Sequence, residues 1–269
     1  MYRFKSLIVM VTVLIVNPAF AGQPPLANDG ELNVCTTAGF PPLTYKNDPA
    51  DDKPIGIDIE VIEAIGELWN ARIDYTITEF SGLLPTLGSG RCDVIISGIY
   101  INDKRREVYD GVRYMKSATV IVTKAENTTI SKPGDLSGKI LALETGTYYG
   151  EERVGPLNKK FAEIGSAPIT VQEYPSQQGA YQQVLGGRVD ATLTEEAEGA
   201  FRVASLRNRL RIAYTWPSAF TYGIYMRRSP ANAAAVKEAL STLRKKGFFK
   251  SLAKKYGLNS SIFDVDYDS

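Results

Sequence analysis

CDVIISGIYINDKRREVYD, from Cys92 to Asp110, is the stretch in which the chain shows its architecture. An unbroken apolar run, Val94 to Ile96, ends in Ser97-Gly98 and is followed by a polar cluster with Arg105 and Arg106. A short apolar run without polar alternation reads as a strand buried on both faces, as in a parallel α/β sheet. Ligands of such sheets bind beyond the carboxyl ends of the strands, which is where Ser97, Gly98 and Tyr100 would fall. Gly98 lets backbone approach a ligand closely, and Arg105 offers a planar fork for a carboxylate. The competing reading is a plain strand end followed by a solvated arginine loop.

Working outward, the same pattern recurs. Leu32 to Cys35 begins a strand broken by Gly39-Phe40-Pro41-Pro42, and Ile57 to Trp69 carries Ile62, Ile65 and Trp69 at helical spacing, with Asp58 as a cap. Arg72 to Phe80 alternates as a strand, and Ser81 is expected to cap a short helix bearing Leu83, Leu84 and Leu87. Ala118 to Lys124, Lys139 to Leu143, Ala167 to Tyr174 and Val189 to Thr194 read as further strands. Helices are expected at Gln177 to Leu185, over residues 196–206, after Ser229-Pro230, and at Phe248 to Tyr256. Thr145-Gly146-Thr147 turns into a helix near Tyr148, whose free N–H groups would suit an anion. A phosphate loop is the rival there, but no Gly-Lys-Ser/Thr signature follows. Residues 22–30 read as a loose leader, and the acidic tail from Asp264 to Asp268 as solvated.

Composition excludes several functions. The chain of 269 residues contains no histidine, which removes His-dependent triads and the H-E-x-x-H zinc site. The acidic loop with Asp48, Asp51 and Asp52 lacks the glycine and terminal glutamate of a calcium loop, so no metal or cofactor is expected. Residues 1–21 read as a secretory signal: Arg3 and Lys5, an apolar core from Leu7 to Val16, and the Ala19-Phe20-Ala21 cleavage site. Its loss takes two basic groups from 31 Lys+Arg against 30 Asp+Glu, leaving no basic field for nucleic acid.

GFPPLTY (39–45), GIDIEVIEAIGELW (56–69), FSGLLPTLGSGRCDVIISG (80–98), INDKR (101–105), ETGTYYGEE, GGRVDATLTEE, FTYGIYMRR and VKEALSTLRKKGFFKSLAKKYG occur in this order. Together they resemble the periplasmic amino-acid-binding proteins of ABC importers, solute-binding family 3, typified by glutamine, histidine and lysine/arginine/ornithine binders. The resemblance implies an α/β, two-lobed periplasmic-binding-protein-like (type II) fold with two hinge crossings. Lobe 1 would comprise residues 30–117 and 221–260, and lobe 2 residues 118–220. It also implies a periplasmic monomer that hands an amino acid or a derivative such as an opine to an inner-membrane permease.

The same resemblance assigns roles. Phe40 and Phe80 would stack on the ligand, although Phe40 also reads as an ordinary core residue. Arg105 would hold the α-carboxylate, helped by N–H groups near Tyr100 and Thr147-Tyr148. Glu195 would accept from the ammonium, with the Gly98 carbonyl sharing that role, although an exposed glutamate opening a helix is the competing reading. Tyr100 stands where relatives carry a small Ser or Thr, and Glu195 is one methylene longer than the usual Asp. Tyr148, Tyr149 and Gln177 would line a roomier side-chain pocket. Two alternatives share the scaffold: an exported enzyme resembling cyclohexadienyl dehydratases, and a ligand-sensing partner of a membrane receptor.

Cys35 and Cys92 meet an oxidising compartment, which favours a disulfide. With Cys35 near the end of one strand and Cys92 opening a parallel one, the two would be offset by about 13 Å along the strands. A disulfide needs Cα atoms within about 7 Å, so free thiols are expected.

Overall fold

A computed structural model describes residues 24–27, 29–207 and 209–267, so the secretory signal and its cleavage site lie outside the described residues. In chain order the elements are β1 (Glu31–Thr36), β2 (Gly39–Phe40), β3 (Thr44–Tyr45), α1 (Ile57–Trp69), β4 (Arg72–Ile77), α2 (Leu83–Gly88), β5 (Val94–Ile95) and α3 (Asp103–Arg106). There follow β6 (Tyr109–Lys124), β7 (Ile140–Glu144), α4 (Gly155–Glu163), β8 (Thr170–Tyr174), α5 (Gln177–Leu185) and β9 (Ala191–Glu195). The chain closes with α6 (Glu196–Ser205), β10 (Leu210–Arg227), α7 (Pro230–Lys245) and α8 (Phe248–Lys255). Among the described residues no helix is long and apolar enough to cross a membrane.

Eight strands form one sheet in the order β4-β1-β5-β10-β6-β9-β7-β8. β1 runs parallel to β4 and β5 in one half, and β7 parallel to β8 and β9 in the other. Between them the two long strands β6 and β10 pair antiparallel from Tyr109↔Arg227 to Lys124↔Leu210. β10 reaches β5 through Tyr225 and Met226, whereas β6 reaches β9 through Thr119 to Thr123. These two strands therefore belong to both halves. Their register slips between Thr215 and Ala219, an irregularity that bends a pair of strands.

Burial follows the apolar spacing. α1 turns Ile57, Val61, Ile62 and Ile65 inward and ends at Asn70, whose left-handed backbone (φ 50°) closes the last turn. α7 starts with Ser229 accepting from the Asn232 amide, has Pro230 in its first turn, and buries Val236, Leu240 and Leu243.

Four expectations are corrected. Cys35 and Cys92 form a disulfide with Cα atoms 5.7 Å apart. The parallel register holds, Cys35 lying opposite Ile95, but Cys92 precedes β5 instead of opening it. The chain bends at Asp93, so Cys92 packs over the face of the sheet with Cys35, Leu83 and Leu87. Asp58 does not cap α1: the Pro42 and Leu43 carbonyls already accept from the Ile57 and Asp58 amides, satisfying two of the free donors of the first turn, and its side chain is committed to Gly98 and Tyr114. Ser81 lies in a 3-10 turn, and Gly82 occupies the position before α2 with no side-chain cap. Where they are described, the 22–30 segment and the acidic tail are not simply loose or solvated: Leu26 and Ala27 are buried, as are Phe263 and Val265. Arg244 fastens the tail by donating to the Phe263 and Val265 carbonyls and lying 4.2 Å over the Tyr267 ring.

Candidate ligand-binding cleft

The carboxyl ends of β1 and β5 form one wall of the cleft. Thr37 and Ser97 are joined there, the Ser97 hydroxyl accepting from the Thr37 amide at 3.0 Å and meeting its hydroxyl at 2.9 Å. Gly98 follows with φ +54°, and a Cβ there would come within 2.9 Å of Phe40 Cε1 and 3.1 Å of Leu43 Cδ2. Both the backbone conformation and the close approach of Phe40 therefore require glycine. The Gly98 amide donates to Asp58 Oδ2 at 2.7 Å, and the Tyr114 hydroxyl donates to Asp58 Oδ1 at 2.6 Å. Asp58 is completely buried, and desolvation pushes its carboxyl up to about 7 despite these two bonds.

The opposite wall comes from the ends of β7 and β9. Glu144 ends β7, and its carbonyl accepts from the Thr147 hydroxyl at 2.7 Å, closing the turn through Gly146. The helical turn beyond begins at Gly150. Tyr148 packs 4.5 Å from Tyr100, 4.6 Å from Tyr149 and 5.2 Å from Phe220, between ring centroids. Glu195 ends β9, is 4 % exposed, and its Oε2 atom has no hydrogen-bond partner. Desolvation pushes Glu195 up to about 8; the Tyr149 hydroxyl offsets part of this, whereas Glu198 and Glu144 add to it. Burial likewise raises Glu144 to about 8, offset in part by the Gln177 amide.

Seven of the residues singled out from sequence line one cavity: Phe40, Phe80, Gly98, Tyr100, Thr147, Tyr148 and Glu195. Its walls stand close, leaving about 10 Å³ for the centre of a water-sized sphere, room for one water. Arg105 lies outside this cavity and lines an adjoining one of about 360 Å³, which shares Phe80, Thr147 and Tyr148. Its guanidinium sits 5.9 Å from the Phe80 ring centroid and donates to the Tyr100 carbonyl at 2.7 Å and the Gly146 carbonyl at 3.3 Å. Arg105 thus touches both halves at the rim of the inner cavity. A second bridge joins the halves where Arg202, paired with buried Glu198 at 2.8 Å, donates to the Gly39 carbonyl at 3.1 Å.

Thr37, Ser97, Glu144 and Tyr149 complete the inner lining. Thr37 and Glu144 escaped the sequence reading, although Glu144, like Glu195, sits at the carboxyl end of a strand. Gln177, expected in the pocket, is turned away from it and donates to Thr192 Oγ1 and the Leu193 carbonyl behind β9. Among the described residues no cluster of three or more acidic, Cys or His side chains is arranged to hold a metal ion.

The family model for bacterial extracellular solute-binding proteins, family 3, matches residues 32–259. The probable amino-acid-binding protein YxeM of Bacillus subtilis (strain 168) is 30% identical over 240 residues, covering 85% of this chain and 84% of YxeM. The L-cystine-binding protein TcyJ of Escherichia coli (strain K12) is 26% identical over 230 residues, covering 84% of this chain and 82% of TcyJ. Among solved structures, an ancestral arginine-binding protein bound to arginine superimposes with a TM-score of 0.76 at 28% identity, covering 84% of this chain and 98% of that one. These neighbours carry the two-lobed type II fold.

Proposed function

Because the chain belongs to the bacterial extracellular solute-binding proteins of family 3, we propose that it captures an amino acid or amino-acid derivative in the periplasm and delivers it to an ABC importer's permease in the inner membrane. The observation that carries this reading is the unpartnered, buried Glu195 Oε2 in an aromatic cavity between the two halves. A carboxylate kept from water without a partner is costly, and a ligand ammonium supplies the missing partner. Arg105, at the rim, takes the α-carboxylate in a bidentate pair after exchanging its carbonyl partners. Phe40 and Phe80 cover the ligand, and the Gly98 carbonyl accepts from its ammonium beside Glu195, while the Gly98 amide is committed to Asp58.

In this reading residues 30–117 with 221–260 form one lobe and 118–220 the other. The inner cavity holds about one water, so an amino acid enters only when the walls part. Strands β6 and β10, shared by both halves, are where that motion bends. Since Arg105 and Glu195 come from opposite halves, only the closed form neutralises both ligand charges, which couples binding to closure.

A thermal-shift screen against the proteinogenic L-amino acids and opines tests the reading. A ligand at 100 times its dissociation constant should stabilise the protein by about 2.7 kcal/mol, a rise of roughly 5–10 °C for a chain of this size. No shift with any of them would contradict it.

One observation favours a second reading, an exported dehydratase on the same scaffold. Glu195, held at about 8, keeps a proton at neutral pH, as a general acid must. The two readings separate on turnover: a dehydratase releases carbon dioxide from a prephenate- or arogenate-like acid, whereas a binder releases none.

A further inference from the structure

Resting on the amino-acid reading, we infer that Arg202 and Phe201 form a clasp outside the ligand cavity, which holds the Phe40 wall in place and sets how long a bound ligand stays. Arg202 follows Glu198 by one turn of α6, and its Nε atom donates to Glu198 Oε1 at 2.8 Å. The other oxygen of Glu198 accepts from the Tyr181 hydroxyl on α5 at 2.5 Å and from the Thr194 hydroxyl on β9 at 3.0 Å. The Tyr181 ring centroid lies 5.7 Å from the guanidinium. All four residues come from the half of the sheet that carries β9, so their arrangement does not depend on the other half.

From this mount Arg202 Nη2 crosses to the other half and donates to the Gly39 carbonyl at 3.1 Å, 163 residues away in sequence. Gly39 opens β2 and pairs with Tyr45 of β3. Phe201, the residue before Arg202, meets Tyr45 with ring centroids 5.8 Å apart. Two consecutive residues of α6 therefore grip both strands of one hairpin. The hairpin's next residue is Phe40, which lines the inner cavity and stands against Gly98. Neither Phe201 nor Arg202 lines that cavity.

A long side chain that docks across a cleft ordinarily loses rotamer freedom as it does so. Arg202 is already fixed by Glu198 and Tyr181, with 18% of its side chain exposed, so closure adds the Gly39 bond with little further ordering. Aiming the guanidinium gives the buried ion pair a purpose that stability alone does not require. The clasp also differs from the Arg105 bridge. Arg105 gives up the Gly146 carbonyl to take a ligand carboxylate, whereas Arg202 exchanges nothing and keeps its bond with the ligand inside. Arg202 is thus a positioning residue, acting on the ligand through Gly39 and Phe40.

The test measures dissociation constants by calorimetry and dissociation rates by stopped-flow fluorescence. The proteinogenic L-amino acids and opines serve as probes, with wild type, Arg202→Lys and Tyr45→Ala. Arg202→Lys keeps a cation beside Glu198 but lacks the fork that reaches Gly39 as well. Tyr45→Ala removes the ring that Phe201 meets, from a half-buried position, and leaves Glu198 paired. Each variant should weaken every probe that binds by about three- to tenfold, by one common factor, through faster dissociation. Unchanged dissociation rates overturn the inference, and the Tyr45→Ala arm decides it if Arg202→Lys does not fold. A variant that only lowers the binding stoichiometry, with the remaining sites releasing ligand at the wild-type rate, overturns it by showing a merely structural role. A factor that differs between probes overturns it by placing the residue against the ligand. If the variants bind as wild type does, the clasp falls and the amino-acid reading stands. If no probe binds wild type, both fall together.

Discussion

The Gly98 amide donates to Asp58 Oδ2 at 2.7 Å across 40 residues of sequence, while Tyr114 on β6 donates to the other oxygen of the same carboxylate. One buried side chain therefore ties the ligand loop to a strand shared by both halves. Tyr114 in turn stacks 6.3 Å from Tyr222 on β10, the other shared strand. The loop is also stitched to β10 directly, with the Ile101 amide donating to the Thr221 carbonyl and the Gly223 amide to the Ile99 carbonyl.

Removing this tether should loosen the loop. Asp58→Ala leaves the Gly98 amide and the Tyr114 hydroxyl without their acceptor and should destabilise the fold by about 1–3 kcal/mol. Asp58→Asn keeps one acceptor oxygen and should cost less. Urea unfolding at unchanged slope reads both, and a midpoint unaffected by Asp58→Ala would show that the tether carries no stability.

The buried carboxyls set a pH dependence with a definite sign. Burial holds Asp58 at about 7 and Glu144 and Glu195 at about 8, above their ordinary range near 4. Across the interval from about pH 4 to 8 the folded chain binds protons that the unfolded chain has released. The contribution of these groups is therefore full below the lower limit and is lost as pH rises through 7 and 8. Asp135, the carboxyl shifted the other way by the Ser131 amide, changes only on the acid side of that interval. The protein without added amino acid should unfold at higher urea concentration at about pH 5.5 than at about pH 8.5. The opposite order would mean that these carboxyls are ionised in the folded protein.

The Cys35–Cys92 bridge closes a loop with a sequence separation of 57. In the chain-entropy description a loop of that length contributes about 4 kcal/mol. Cys35→Ser with Cys92→Ser should lower the thermal midpoint, and alkylation of unfolded, unreduced wild type should label neither cysteine. Labelling of both would contradict the bridge.

Much of the fold was legible because its signals are local. The apolar run at Val94, the Ser229-Pro230 start of α7, and helix Gln177–Leu185 all carry their information within a few residues. The rule that ligands face the carboxyl ends of parallel strands picked out Gly98, and the resemblance added Thr147 and Glu195, from two further segments, that line the same cavity. What escaped was long-range. Asp58 reads as a helix cap until its partners, 40 and 56 residues away, are known. Cys92 reads as a strand residue until the bend at Asp93 carries it across the sheet. β6 and β10 extend well beyond the short apolar runs that mark them, because antiparallel pairing to each other continues through their half-exposed residues.

Arg105 and Arg106 differ in what they touch. Arg105 reaches across to Gly146, whereas the Arg106 side chain is exposed and its carbonyl accepts from Arg228. Arg105→Ala should weaken amino-acid binding by about 30-fold to several thousandfold, the cost of leaving a ligand carboxylate unpaired. Arg106→Ala should change it little. Calorimetry showing the reverse order would move the carboxylate site to the neighbouring arginine.

The most direct test of the account is calorimetric titration of wild type and Glu195→Gln with the L-amino acids, alongside assay of both proteins for carbon dioxide release from a prephenate- or arogenate-like acid. Glu195→Gln keeps the shape of the side chain and removes the charge that an ammonium would pair with. The account predicts one-to-one binding of at least one L-amino acid by wild type, a loss of about 30-fold or more in Glu195→Gln, and no turnover by either protein. Undiminished binding by Glu195→Gln, together with carbon dioxide release by wild type alone, would contradict it.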